Sequence, residues 1–294
     1  MKHSLIITLF LICFQSYGQY TTEINTNRPS LSMGAYSVSK GIIQIETGLG
    51  MQKDSYDSET YNDRIGADMQ LRFGVMNENL ELIADFKYDA TNQTVYTTEN
   101  KFSGFRNATI GAKYLLYDSY KNYVDKVNVL SWRANQRYKW RRLVPAVSVF
   151  VGADFKSDKY WHPNMPAASI KGMIITQQHI SNHLSFVTNL IIENAENDDF
   201  RSYGYIATLS YGFNQRWSVF AENQGYFREY EGEKIPFKDD CIFRAGFTFL
   251  VHRNLQFDIS GGTGIGDNPQ KYLGQIGVSW RNHKKIIFKD PYEL

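Results

Sequence analysis

No internal stretch of this sequence approaches the roughly 20 consecutive apolar residues that a membrane-spanning helix requires, although hydrophobic residues make up 43% of it. Cysteine is nearly absent, with only Cys13 and Cys241. Once the N-terminus is removed, as argued below, Cys241 stands alone. That excludes an internal disulfide, a cysteine-based metal cluster and a thiol pair, and leaves Cys241 as a bystander on an apolar strand face. Net charge is missing too: the formal value of +2 argues against nucleic acid as a partner. His162, His179, His183 and His252 show no metal-ligand spacing, and no helical pattern follows Gly261-Gly262-Thr263-Gly264-Ile265-Gly266 as a dinucleotide loop would need. Neither a metal nor a cofactor is expected. No Pro/Gly/Ser-rich linker divides the chain, so one continuous unit is the expectation.

Aromatic residues, by contrast, are abundant, with 20 Tyr and 19 Phe. Combined with a mean hydropathy of −0.41, this suits a protein that sets amphipathic rings at membrane–water boundaries. The N-terminus reads as a secretory signal. Lys2 and His3 precede an apolar run from Leu5 to Phe14, and Ser16-Tyr17-Gly18 places small residues for cleavage before Gln19. Removing Lys2 lowers the formal charge from +2 to +1.

The dominant signal is alternation at period two. Between Asp63 and Met76, Ile65, Ala67, Met69, Leu71, Phe73 and Val75 fall on one face, and Arg64, Gly66, Asp68, Gln70, Arg72 and Gly74 on the other. In a strand these sets point opposite ways. The same pattern predicts strands at 41–51, 63–76, 80–88, 105–117, 143–156, 168–178, 184–193, 202–213, 217–227, 240–251, 255–262 and 272–281, with the poorest alternation at 168–178. Short polar turns such as Ser181-Asn182-His183 and Asn214-Gln215-Arg216 alternate with longer polar loops at 52–62, 89–104, 156–167, 194–201, 228–239 and 263–271. Short turns on one side and long loops on the other mark an outer-membrane barrel. An even strand number puts both ends in the periplasm.

The direction of the faces decides the class. A soluble barrel turns its apolar face inward, whereas about twelve strands enclose a lumen wider than side chains readily fill. The expected lumen lining is Arg64, Asp68, Arg72, Glu81, Asp85, Lys87, Asp154, Glu222, Gln224, Arg244 and Asp258. A one-residue slip of the second strand would turn its arginines to lipid, at roughly 2–4 kcal/mol each near mid-bilayer. Tyr114, Tyr117, Phe213, Trp217 and Trp280 are expected at the periplasmic rim, and Tyr88, Tyr203, Tyr205, Phe227 and Tyr272 at the outer one.

Several stretches resemble a Bacteroidetes-type outer-membrane family labelled "putative MetA-pathway of phenol degradation", also called transporter. They are Asn27-Arg28-Pro29-Ser30, Lys40-Gly41, Gln44-Ile45-Glu46-Thr47-Gly48, Gly111-Ala112-Lys113-Tyr114-Leu115, and Gly264-Ile265-Gly266-Asp267-Asn268 through Tyr272, Gly277 and Trp280. The resemblance implies passage of small, aromatic or hydrophobic compounds across the outer membrane of a Gram-negative bacterium. Gln275, Gly277, Val278 and Trp280 also resemble the terminal-strand signal read by the barrel-assembly machinery, here followed by 282–294. His179-Ile180-Ser181-Asn182 resembles the His/Ser/Asn run of outer-membrane phospholipase A, and a serine nucleophile needs its base nearby. Its expected place at a periplasmic turn is the wrong side for lipid of the outer leaflet.

The segment 118–142 interleaves Lys121, Lys126, Arg133, Arg137, Lys139, Arg141 and Arg142 with Tyr120, Tyr123, Trp132, Tyr138 and Trp140. It reads as a long anchored turn or a short amphipathic helix. The whole is an all-β, antiparallel, up-and-down transmembrane barrel: signal peptide 1–18, periplasmic segment 19–40, barrel 41–281, periplasmic tail 282–294. Its partners are outer-membrane lipid, the assembly machinery and an unidentified small molecule. The expected function is a porin-like channel or transporter rather than an enzyme. The alternatives are a structural or surface-interaction barrel and a lipid hydrolase.

Overall fold

The computed structural model describes residues 24–56, 59–75, 78–119, 129–131, 133, 140–157, 159–160, 166–197, 200–228, 241–265 and 270–282. They form twelve strands: β1 (Ile43–Ser55), β2 (Thr60–Gly74), β3 (Leu80–Val95), β4 (Thr98–Tyr117), β5 (Ala146–Lys156), β6 (Ala168–His179), β7 (Leu184–Glu193), β8 (Ser202–Gly212), β9 (Trp217–Arg228), β10 (Ile242–His252), β11 (Leu255–Gly264) and β12 (Gln270–Arg281). Each pairs antiparallel with its sequence neighbours, and β12 returns to β1, from Gln44↔Arg281 to Ser55↔Gln270, so the sheet closes. Closure leaves no edge strand with unpaired backbone groups, which a bilayer would not tolerate. No helix among the described residues is long and apolar enough to cross a membrane.

The outward face carries the alternating apolar set. Ile65, Met51, Leu49, Ile110, Val151, Leu190, Phe247, Ile259 and Ile276 are all exposed, while Gln44, Glu46, Arg72, Glu81 and Lys113 on the other face are fully buried. An apolar exterior around a charged interior is the inverse of a soluble barrel. We call the end where β1 begins and β12 finishes the base, and the opposite end the mouth. Aromatic side chains ring both. Trp217 packs on Phe249 with ring centres 4.6 Å apart at the base, and Tyr88 meets Phe105 edge-on at 5.5 Å toward the mouth. Tyr114, Tyr117, Phe213 and Trp280 are exposed at the base, and Tyr203, Phe227 and Tyr272 toward the mouth.

One expected loop is instead a continuation of the sheet. Residues 89–104 form the paired ends of β3 and β4, running to Val95↔Thr98, with Tyr96 in the turn at a φ of 54°. Both faces of Thr91-Asn92-Gln93-Thr94 are polar, so the pairing persists without any hydrophobic alternation to announce it. At a bulge near Lys87 and Tyr88 the register passes from Asn107 to Phe105, skipping Arg106. Of 118–142, Trp140–Leu143 begins a single 3-10 turn; the rest of the amphipathic segment lies largely outside the described residues, as do the signal peptide and 283–294.

The expectation for 19–40 was a periplasmic segment, but from Ile24 onward the chain lies inside the barrel. Ile24 is tied to the base by its N–H to the Arg253 carbonyl at 2.9 Å. The chain then rises to Arg28, crosses the lumen through Leu31 and descends past Met33 and Ala35. It leaves through Gly41, whose φ of 76° suits glycine and turns the chain into β1. Gly74 is required beside this exit, because a Cβ there would collide with the carbonyls of Val38 and Ser39.

Candidate functional site

The segment 24–42 has no regular structure of its own, so its buried backbone groups need side-chain partners. The barrel wall supplies them. Glu46 accepts the N–H of Asn27 at 3.0 Å and of Arg28 at 2.9 Å. Glu222 accepts those of Leu31 at 2.9 Å and Ser32 at 3.3 Å. Asn189 both accepts from the Met33 N–H at 2.6 Å and donates to its carbonyl at 2.9 Å. Gln177 accepts the Ala35 N–H at 2.9 Å, and Lys113 donates to the carbonyls of Gly34 at 2.9 Å and Tyr36 at 3.1 Å. Gln256 donates to the Arg28 carbonyl at 3.2 Å. Together these bonds hold the segment in one geometry.

Arg28 is the anchor. Its guanidinium pairs with Asp68 of β2 and, at 3.3 Å, with Asp258 of β11, whose side chain has no exposure. The strands between them make room. Gly48 and Gly277 face each other across the β1–β12 pair, and a Cβ on either would overlap the Arg28 guanidinium. Two glycines in register therefore form a cradle that only a missing side chain can provide.

In the structure the charged residues named from the sequence fall into several clusters. Arg72 pairs with Glu46 at 3.0 Å and with Glu81, which also takes Lys113 at 3.0 Å; all four side chains are fully buried. Arg64 reaches Asp54 at 3.6 Å and Asp89 at 3.7 Å, and Arg106 reaches Asp89 at 3.1 Å. Asp85 and Lys87 are 3.9 Å apart. Asp154 accepts from Thr109 at 2.8 Å and lies 3.7 Å from Lys156. Asp68 and Asp258 hold Arg28, and Glu222 holds the crossing segment. Among the described residues Arg244 has no ion pair, and neither its Nε nor Gln224 Oε1 has a hydrogen-bond partner.

The lumen is not polar all round, as the β2 pattern had suggested. On β3 to β8 the inward face carries Ile83, Leu115, Ala146, Phe150, Met173, Ile175, Ile191 and Ile206, and Met33 and Ala35 of the inserted segment pack against them. The Phe150 ring lies on Gly111 and Gly152, where an added Cβ would come within 2.6 and 2.8 Å of it. Tyr226 lies likewise on Gly204, at 2.8 Å. On the mouth side of the segment a cavity of about 210 Å³ remains, lined by Arg28 and Met33 of the segment, by the apolar Phe150 and Ile206, by Arg106 and Lys171 on the strands flanking Phe150, and by Arg244 of β10.

The hydrolase candidates do not assemble. Ser181 Oγ accepts the N–H of His183 at 3.2 Å and of Leu184 at 3.0 Å, closing the β6–β7 turn. His179 stacks on Tyr36 with ring centres 5.7 Å apart.

Arg28, Glu46, Lys113, Gln177 and Asn189 were not among the expected lumen residues. For Glu46 and Lys113 the polar face of their strands was a sufficient signal; nothing in strand alternation marks Arg28.

The family model described as "Putative MetA-pathway of phenol degradation" matches residues 26–282 of the chain. No curated protein matches its sequence significantly. Among solved structures it is similar to NanC porin, with 11% identity over 79% of this chain and 98% of that one and a TM-score of 0.45. It is similar to the CymD monoaromatic hydrocarbon channel at 9% identity, covering 84% and 90%, with a TM-score of 0.46. The translocator domain of autotransporter NalP from Neisseria meningitidis aligns at 8% identity, covering 83% and 89%, with a TM-score of 0.47.

Proposed function

The chain belongs to the family described as "Putative MetA-pathway of phenol degradation", and from that premise we propose that it is an outer-membrane channel for small molecules, closed at its base by its own N-terminal segment. The observation that carries this reading is the arrangement of the lumen. A cavity of about 210 Å³ lies in the lumen against Arg28–Met33, a stretch held by side-chain contacts and not by strand pairing.

Strand pairing is cooperative across the whole barrel, whereas the inserted segment contributes no strand to it. It can leave and return without opening the sheet. The apolar half of the inner wall suits solutes that carry hydrophobic or aromatic surface. The exterior meets outer-membrane lipid, and β12, with Val278 and Trp280 outward, presents the strand that the assembly machinery would read.

The test is single-channel recording in planar bilayers of the full barrel and of a form lacking residues 24–38. The full barrel is expected to conduct rarely, and the shortened one persistently. If both stay closed while still showing the heat-dependent gel shift of a folded barrel, the molecule is a structural barrel and the channel reading fails.

A further inference from the structure

The cavity above the inserted segment has two unlike walls, and resting on the channel reading, we propose that it is a binding site for a small organic anion: one acidic group on a flat apolar body. The apolar wall is made by Ile83, Phe150, Met173, Ile191, Ile206 and Met33, all lining the cavity. Opposite stands Arg244 on β10. Across the whole cavity, six basic side chains line it against three acidic ones.

Arg244 is the one to which no described partner is assigned. It is more than nine-tenths buried, it borders the cavity, and its Nε is without a hydrogen bond among the described residues. A buried guanidinium in that state is costly, and an acidic ligand resolves it. Its natural partner is present but has one carboxylate oxygen engaged elsewhere. Glu222 sits directly opposite Arg244 in the β9–β10 register. Its Oε2 receives the N–H groups of Leu31 and Ser32 and the Thr208 hydroxyl at 2.8 Å. The inserted segment thus holds one oxygen of the carboxylate opposite Arg244, and neither Glu222 Oε1 nor Arg244 Nε has a hydrogen bond among the described residues.

Two glycines shape the space. A Cβ at Gly262 would come within 2.8 Å of Arg244 Cγ, so the arginine stem lies close to the wall there. The Tyr226 ring lies flat on Gly204 and packs on the apolar cluster, joining the cationic side to the hydrophobic one. A cavity of about 150 Å³ holds a benzene ring; the 210 Å³ here holds a ring with its acidic group.

Benzoate, benzamide and acetate separate the contributions. Titrated calorimetrically into the detergent-solubilised full-length barrel, benzoate is expected to bind roughly ten- to a hundredfold tighter than the neutral benzamide, the range of a charge-assisted contact, and tighter than acetate, which lacks the apolar body. Arg244→Gln should erase the preference for benzoate over benzamide, and Arg244→Lys should keep part of it. Equal binding of benzoate and benzamide to the wild type overturns the proposal without recourse to any variant. Acetate binding as tightly as benzoate would make this a plain anion site and also overturns it. Benzoate preference in a barrel that never conducts leaves the site standing and removes the channel; conduction without that preference does the reverse.

Discussion

Replacing Arg28 with alanine tests whether one side chain holds the inserted segment in place. Arg28 is the only basic group bonded to both Asp68 and Asp258 in the described residues, and Asp258 has a fully buried side chain. Removing one partner of a buried ion pair costs about 3–5 kcal/mol, because the surviving charge is left without compensation. At about 1.4 kcal/mol per factor of ten, the balance between docked and released segment moves by two to four powers of ten. The barrel should survive, since the β1–β12 and β11–β12 ladders do not involve Arg28. In planar bilayers the variant is expected to open often where the wild type is mostly closed, at an unchanged gel shift. The double variant Gly48→Ala, Gly277→Ala approaches the same end from the wall, leaving Arg28 intact but filling its cradle. Gly274→Ala, where an added Cβ meets nothing within 4 Å, is the control. Arg28→Ala closed to the wild-type degree would refute the assignment of Arg28 as the anchor.

Arg72→Ala strips Glu46 and Glu81 of the guanidinium they share, and is expected to lower barrel stability by about 3–5 kcal/mol, read as the urea midpoint of the heat-dependent gel shift; a shift below about 1 kcal/mol, the scale of an exposed pair, would contradict the buried cluster. Ile65→Arg, on the outward face, should destabilise folding into lipid vesicles by roughly 2–4 kcal/mol. If Ile65→Arg is neutral there, the assignment of that face to lipid is wrong.

Much of the architecture was legible in the sequence because a transmembrane barrel forces one period on every strand. Ile65 to Phe73 and Tyr203 to Tyr211 show it plainly, and both stand as strands with those residues outward. The faint alternation of β6 has a physical cause: Ile170 and Ile174 face lipid, while Met173 and Ile175 face the apolar cluster inside. A strand apolar on both faces carries no period-two signal. The extension of β3 and β4 was hidden for the opposite reason, both faces of Thr91 to Thr94 being polar.

The inserted segment was illegible because most of its hydrogen bonds to the wall are made by backbone groups, and the side chains it does use, such as Arg28 and Met33, follow no period. Its imprint is nevertheless present in the wall. A lumen built only to satisfy itself would join Glu222 to Arg244, which are opposite in register, and would have little use for Asn189 and Gln177 on an inward face. Each of these three wall groups other than Arg244 is taken by Leu31, Ser32, Met33 or Ala35. The polar side chains of the wall are thus complementary to the segment as much as to one another. Inward residues then divide by whether the segment uses them. Those it uses hold the closure, and Arg244, which it does not, is left facing the cavity where a solute would arrive.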